Sequence, residues 1–166
     1  MKKDGLKILL IAVLGIIVAA LVYPFLHEMG HIIASVFVGA EVMEMTLFPL
    51  PSVLSDVTGD GDMGLVIIGF GGTIFPLLIS LLLPRKWFLT WYLRALLQGM
   101  SVLALVISIV SVLLAVNPQD DMIQILKFWK YGKTVLLLIL CSGTVASLSL
   151  IFLDKPGRRI CKFFEI

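Results

Sequence analysis

Four apolar runs, each long enough to cross a lipid bilayer, set the first constraint on this chain. A spanning helix needs about 20 mostly apolar residues. Such runs occupy roughly residues 6–39, 64–84, 93–116 and 133–153. Sixty per cent of the 166 residues are hydrophobic and the mean hydropathy is +1.09. A water-soluble domain of this length has no use for so much apolar surface. The expectation is an all-α polytopic membrane protein of four transmembrane helices, forming one membrane-embedded domain over 1–166.

The start of the chain, Met1-Lys2-Lys3-Asp4-Gly5-Leu6-Lys7, imitates a secretory leader. The apolar run behind it is long and carries no small-residue cleavage site, so it reads as a retained span. As one straight helix, residues 6–39 would reach about 51 Å, against a hydrocarbon core of about 30 Å. Pro24 removes one backbone hydrogen bond and crowds the carbonyl one turn back, which predicts a kink near it.

Lys and Arg set the orientation. Ten of the 13 lie in residues 1–7, 85–94 or 155–166, at the start of the first run, around the link between the second and third, or after the fourth. The other three lie in 117–133, and the 40–63 connection has none. The positive-inside bias then places both termini in the cytoplasm, with a prokaryotic plasma membrane as the simplest setting. The basic residues flank spans rather than forming a stripe, so nucleic acid is not an expected partner. Cys141 and Cys161 imply no disulfide framework.

Within the first run lies His27-Glu28-Met29-Gly30-His31. On a helix, His27 and His31 share a face one turn apart and can offer two imidazole nitrogens to one zinc ion. Glu28 sits about 100° round from His27, beside such a metal, where a carboxylate can act as general base toward a zinc-activated water. Gly30 leaves room for a close neighbour. Ionisable groups in hydrocarbon cost roughly 2.5–3.5 kcal/mol each on insertion scales, so three together point to function rather than packing.

Catalytic zinc usually takes three protein ligands. There is no further His, so the third must be a carboxylate or a thiol. Asp154 and Cys161 fall on the cytoplasmic side, away from His27. Asp56, Asp60, Asp62, Asp120 and Asp121 fall on the same side as the motif. Asp121 is favoured, with Asp120 as the alternative; either can instead cap a helix after Pro118. Asp60-Gly61-Asp62 reads as a turn. In the 40–63 connection, Val42 to Phe48 alternates loosely and suggests a short β-hairpin. An exposed strand edge there, including Glu44, is a candidate for pairing with an unwound substrate. Gly71 and Gly72, in Gly69-Phe70-Gly71-Gly72 before Pro76, are candidates for bringing backbone against the motif helix and shaping the cleft. Trp87, Trp91 and Tyr92 read as interfacial aromatics.

His27-Glu28-Met29-Gly30-His31-Ile32-Ile33-Ala34, with Gly39 following, resembles the zinc helix of the site-2 protease family of intramembrane metalloproteases. Gly71-Gly72 with Pro76 is similar to that family's glycine-containing segment, without the Asn often found there. The resemblance implies a zinc metalloendopeptidase that cuts membrane-associated proteins or peptides, with His27 and His31 on zinc and Glu28 as the base. Many members take their third ligand from a Leu-Asp-Gly motif. Here the only Leu-Asp pair is Leu153-Asp154, followed by Lys155, and Asp120-Asp121 instead resembles the Asp that a minimal branch places after its third span. A different class stays open: a non-proteolytic family member acting as a metal-containing binding or regulatory protein in the membrane. Ion transport is disfavoured, because the spans lack the charges of a conduction path outside the motif.

Overall fold

The computed structural model describes residues 2–46, 52–56, 61–118, 120–127, 129 and 131–164. Helix α1 (Lys2–Ile17) runs through one wide π-helical turn, Val18–Val22, into α2 (Tyr23–Phe37). A hairpin follows, β1 (Glu41–Thr46) and β2 (Ser52–Asp56), and then α3 (Gly61–Leu82) and α4 (Phe88–Leu114). Short α5 (Asp121–Leu126), α6 (Lys133–Leu153) and α7 (Pro156–Phe164) complete the chain. Four helical stretches, Gly5–Phe37, Met63–Leu82, Phe88–Leu114 and Lys133–Leu153, are long and apolar enough to cross a membrane.

The expected kink at Pro24 takes another form. Proline has no N–H to offer its own i−4 carbonyl and crowds it. The backbone answers by widening the preceding turn, with the Tyr23 N–H reaching back five residues to the Val18 carbonyl. A π turn of this kind absorbs the proline while the helix continues. α1 and α2 therefore form one continuous 33-residue span. Helix α3 likewise passes through Pro76 unbroken. Trp91 lies in the first turn of α4 and is 1% exposed, packed against protein with the Arg159 guanidinium over its ring.

α4 is the central post. Its Leu97 packs with Val18 and Tyr23 of the first span, and its Leu105 and Val112 pack with Val66 of α3, Met122 and Ile125 of α5, and Leu136 and Leu140 of α6. α5 is thus a plug driven into the bundle by its two apolar residues. It starts where it does because the Asp120 carboxylate accepts from the Met122 N–H at 3.0 Å, satisfying a free donor of the first turn.

α2 crosses α3 at glycine. A side chain on Gly30 would collide with the Gly71 carbonyl, and one on Gly71 would meet the Gly30 carbonyl at 2.6 Å and Ala34 Cβ at 2.7 Å. Only small residues permit this approach. The hairpin is antiparallel, pairing Glu41 with Asp56 and Thr46 with Ser52, with a bulge between Val42 and Glu44. Ser35 ties it to α2. The Ser35 hydroxyl donates to the His31 carbonyl at 2.8 Å, so it accepts from Ser55 Oγ at 2.7 Å.

At the opposite end, buried Asp154 stands between two guanidinium groups. Arg94 Nε donates to its Oδ2 at 2.6 Å, and Arg85 Nε makes an ion-pair contact with Oδ1 at 2.6 Å. Arg94 Nη1 also donates to the carbonyls of Ser80 and Leu81 at 3.1 and 3.0 Å, closing the C-terminal end of α3. Cys141 and Cys161 are exposed and unbridged.

Candidate metal centre

α2 presents His27 and His31 on the face turned toward α3 and α5. Their Nε2 atoms are 3.1 Å apart, and Asp121 Oδ2 is 3.3 Å from each. Asp121 opens α5, whose seat is the gap left by Gly69; a side chain there would meet Ile125 Cδ1 at 2.5 Å. Gly72 leaves a second gap. A Cβ on it would lie 2.5 Å from His31 Nε2 and 2.8 Å from His27 Nε2. Glu28 completes the group, its carboxylate within 4.8 Å of the imidazole nitrogens.

The donor chemistry fits a divalent cation. His31 Nδ1 is 2.8 Å from the Ile68 carbonyl, an acceptor, so Nδ1 carries the proton and Nε2 turns its lone pair inward. That lone pair meets a second imidazole nitrogen and a carboxylate oxygen. Burial alone pushes the Asp121 carboxyl up, but the two imidazoles beside it outweigh burial and hold it below the usual carboxylate range. Three converging electron-rich atoms repel one another unless a cation or a shared proton lies between them. The edges of a tetrahedron are about 1.6 times the metal–ligand distance, hence roughly 3.3 Å for ligands at about 2.0–2.1 Å. The observed triangle of 3.1, 3.3 and 3.3 Å matches that shape. His27, Glu28 and His31 are a possible metal-binding group, and Asp121 makes the closer third donor.

Asp120 is not brought into the triangle. One of its oxygens caps α5, and Ser108 Oγ donates to the other at 3.3 Å. Asp154 lies in the ion cluster at the far end of the bundle. Asp60 lies outside the described residues, as do the side chains of Asp56 and Asp62. Gly71 and Gly72 stand against the motif helix. Glu44 does not reach the site: β1 is the outer strand, and Glu44 is exposed on it. β2 is the strand beside the site, and its Val53 backbone N–H lies close to the Glu28 carboxylate, both on the wall of one cavity.

Two cavities meet at the donor triangle. One, of about 420 Å³, is lined by Glu28, His31, Asp121, β2 residues Ser52, Val53 and Ser55, and the α3 face around Ile68. The other, of about 310 Å³, opens between His27, Thr73, Ser108 and Asp120. Sequence reasoning missed the Ile68 carbonyl and the Val53 N–H, since backbone groups leave no residue-type signal. Ser35, four residues beyond His31 on the same face, was a visible cue for the link to β2. Among known proteins, no family model, no curated protein and no solved structure matches the chain.

Proposed function

We propose that this protein is an intramembrane zinc metalloendopeptidase of the site-2 protease type, hydrolysing peptide bonds of membrane-associated proteins or peptides. The observation that carries the reading is the donor triangle of His27, His31 and Asp121 with a carboxylate, Glu28, beside it. Two imidazoles and one carboxylate at tetrahedral spacing suit zinc and leave a fourth position open. When bound, zinc supplies a Lewis acid that polarises a carbonyl and makes water acidic near neutral pH.

The chain's own groups supply the rest. Ile68 fixes the tautomer and ring plane of His31, as a second layer around a metal usually does. Asp121 brings a negative charge and is held on α5 by the packing of Met122 and Ile125. Glu28 accepts the proton of the attacking water as its oxygen bonds to the scissile carbonyl carbon. It then passes that proton to the amide nitrogen as the C–N bond breaks, leaving a carboxylate and an amine.

A helical substrate hides its carbonyls in internal hydrogen bonds and must unwind first. The edge of β2 faces the larger cavity, so an extended segment can add there as a further strand. The same edge carries the Val53 N–H beside Glu28, which places an added strand next to the base. The ten cations of residues 1–7, 85–94 and 155–166 support, by the positive-inside bias, a reading with both termini cytoplasmic.

The test is purified protein with a panel of membrane-helix substrates. Cleavage by the parent, lost with Glu28→Gln while metal content is kept, is the expected result. Equal cleavage by Glu28→Gln overturns the assignment. One retained metal per chain with no cleavage across the panel leaves a non-proteolytic metal-containing membrane protein instead.

A further inference from the structure

The end of the molecule remote from the donor triangle carries a second feature. α7 leaves span α6 through a tight turn at Asp154-Lys155, where Lys155 takes φ +49°. On a helical wheel, Arg158 and Lys162 are one turn apart on one face, while Pro156, Ile160, Phe163 and Phe164 form the opposite stripe. Ile160 is 46% exposed, so the protein covers only part of that apolar stripe, and Cys161 beside it is exposed as well. What it covers is specific. Phe163 stacks on Phe88 of α4 with ring centroids 3.7 Å apart, and its carbonyl accepts from Lys7 Nζ at 3.2 Å.

Those contacts close one wall of a cavity of about 340 Å³ between α1, α4 and α7. Leu10, Ile11 and Leu14 form one side, Phe88 and Leu89 another, and Lys7 stands among them as its cation. Charge separates the two ends of the molecule. By sequence, residues 1–7, 85–94 and 154–166 hold ten cations against three acids, Asp4, Asp154 and Glu165. Asp154 is already neutralised by Arg85 and Arg94. Among the described residues no carboxylate pairs with Lys86, Lys155, Arg158 or Lys162.

We propose that this end is a binding site for an anionic glycerophospholipid. α7 lies in the headgroup plane with Ile160 and Phe164 toward the acyl chains. One acyl chain enters the cavity between α1, α4 and α7, and Arg158 and Lys162 hold the phosphate. An apolar stripe backed by cations is the pattern of a helix lying in the interface. A basic cluster directly after a span selects anionic headgroups over zwitterionic ones. A soluble anion would satisfy the cations but not the apolar cavity, and a protein partner would have no reason to match the headgroup depth at which α6 ends. The proposal is independent of the metal centre.

The experiment is native mass spectrometry of the full-length protein released from nanodiscs of phosphatidylglycerol, phosphatidylcholine or an equal mixture. The expected result is retention of one phosphatidylglycerol in preference to phosphatidylcholine, weakening as salt rises. Each cation near an anionic surface contributes about fivefold. The exposed pair Arg158→Gln/Lys162→Gln should therefore lower the preference by up to about 25-fold. Leu10→Trp, which fills the cavity, should lower retention of both lipids. Equal retention of the two lipids by the parent, or an unchanged preference in the double variant, overturns the proposal. So does efficient Cys161–Cys161 cross-linking between chains, which would assign the stripe to a second copy. Metal content measured on the same samples should not change with any of these substitutions.

Discussion

Replacing Gly72 by alanine should expel the metal while leaving the bundle folded. The added methyl would sit 2.5 Å from His31 Nε2 and 2.7 and 2.8 Å from His27 Cε1 and Nε2. Ordinary contact begins at 3.4 Å, so His31 must retreat by about 0.9 Å and His27 by about 0.7 Å. Neither has an easy way out. His31 is held from behind by the Ile68 carbonyl at 2.8 Å, and its helix is locked against α3 at Gly30 and Gly71. Ligand distances in a metal site tolerate only about 0.2 Å, so a 0.9 Å displacement removes at least one ligand. Disturbing only the groups that orient a ligand already costs about 10–100-fold in affinity, so the loss should be at least 100-fold. The assay is a chelator-competition titration on detergent-purified protein, with helical content followed by circular dichroism. Gly99→Ala is the control, because a methyl at Gly99 meets nothing within 4 Å. In a helix that change is neutral or stabilising by about 0.5–1 kcal/mol. Gly72→Ala protein with parental helical content and an affinity within about threefold of the parent would refute the steric reasoning.

The two adjacent aspartates should separate cleanly. Asp121→Asn should strip the metal and leave α5 capped, whereas Asp120→Ala should keep the metal and lower stability by about 1 kcal/mol through the lost cap, both read by metal content and thermal unfolding. Arg94→Gln should cost about 1.5–3 kcal/mol, because Asp154 loses the charge-assisted bond from its buried partner while Arg85 still faces its other oxygen, with metal stoichiometry unchanged. Acidification should empty the site. The Asp121 carboxyl is held below its usual range, so its contribution is complete above about pH 4 and is lost only as pH falls through the lowered folded value. Metal released well above pH 4 therefore does not come from protonating Asp121. Retention of metal through gel filtration down to pH 4 would contradict emptying by acid.

The spans are legible because hydrocarbon demands long apolar helices, and the fourth is read to its ends at 133–153. The third starts earlier than expected, at Phe88. Trp91 and Tyr92 look like interface anchors by residue type, yet Trp91 is enclosed by Phe88 and Arg159. Glycine reads well: close approach at Gly71 and Gly72 has no substitute, so the residue type itself carries the signal. Choosing between Asp120 and Asp121 needed the turn of α5, and one residue of rotation separates a cap from a donor facing His27. Glu44 misled because alternation marks a strand without saying which edge faces the site; β2, with weaker alternation, lies inward. Pro24 announced a disturbance, but its form depends on whether the neighbouring backbone can widen. Asp154 reads as remote from His27 by topology, and the structure places it there. Its pairing with Arg85 and Arg94 joins residues 60 and more positions apart, which no local pattern encodes.

Whether His27, His31 and Asp121 grip one divalent cation is decided by X-ray absorption spectroscopy of zinc-loaded protein, with metal content measured in parallel. The protein should hold one zinc per chain in a tetrahedral nitrogen and oxygen shell at about 2.0–2.1 Å, with two imidazoles, lost in His27→Ala and in His31→Ala. A chain that takes up no metal, or a zinc shell that is unchanged when either histidine is removed, would contradict it.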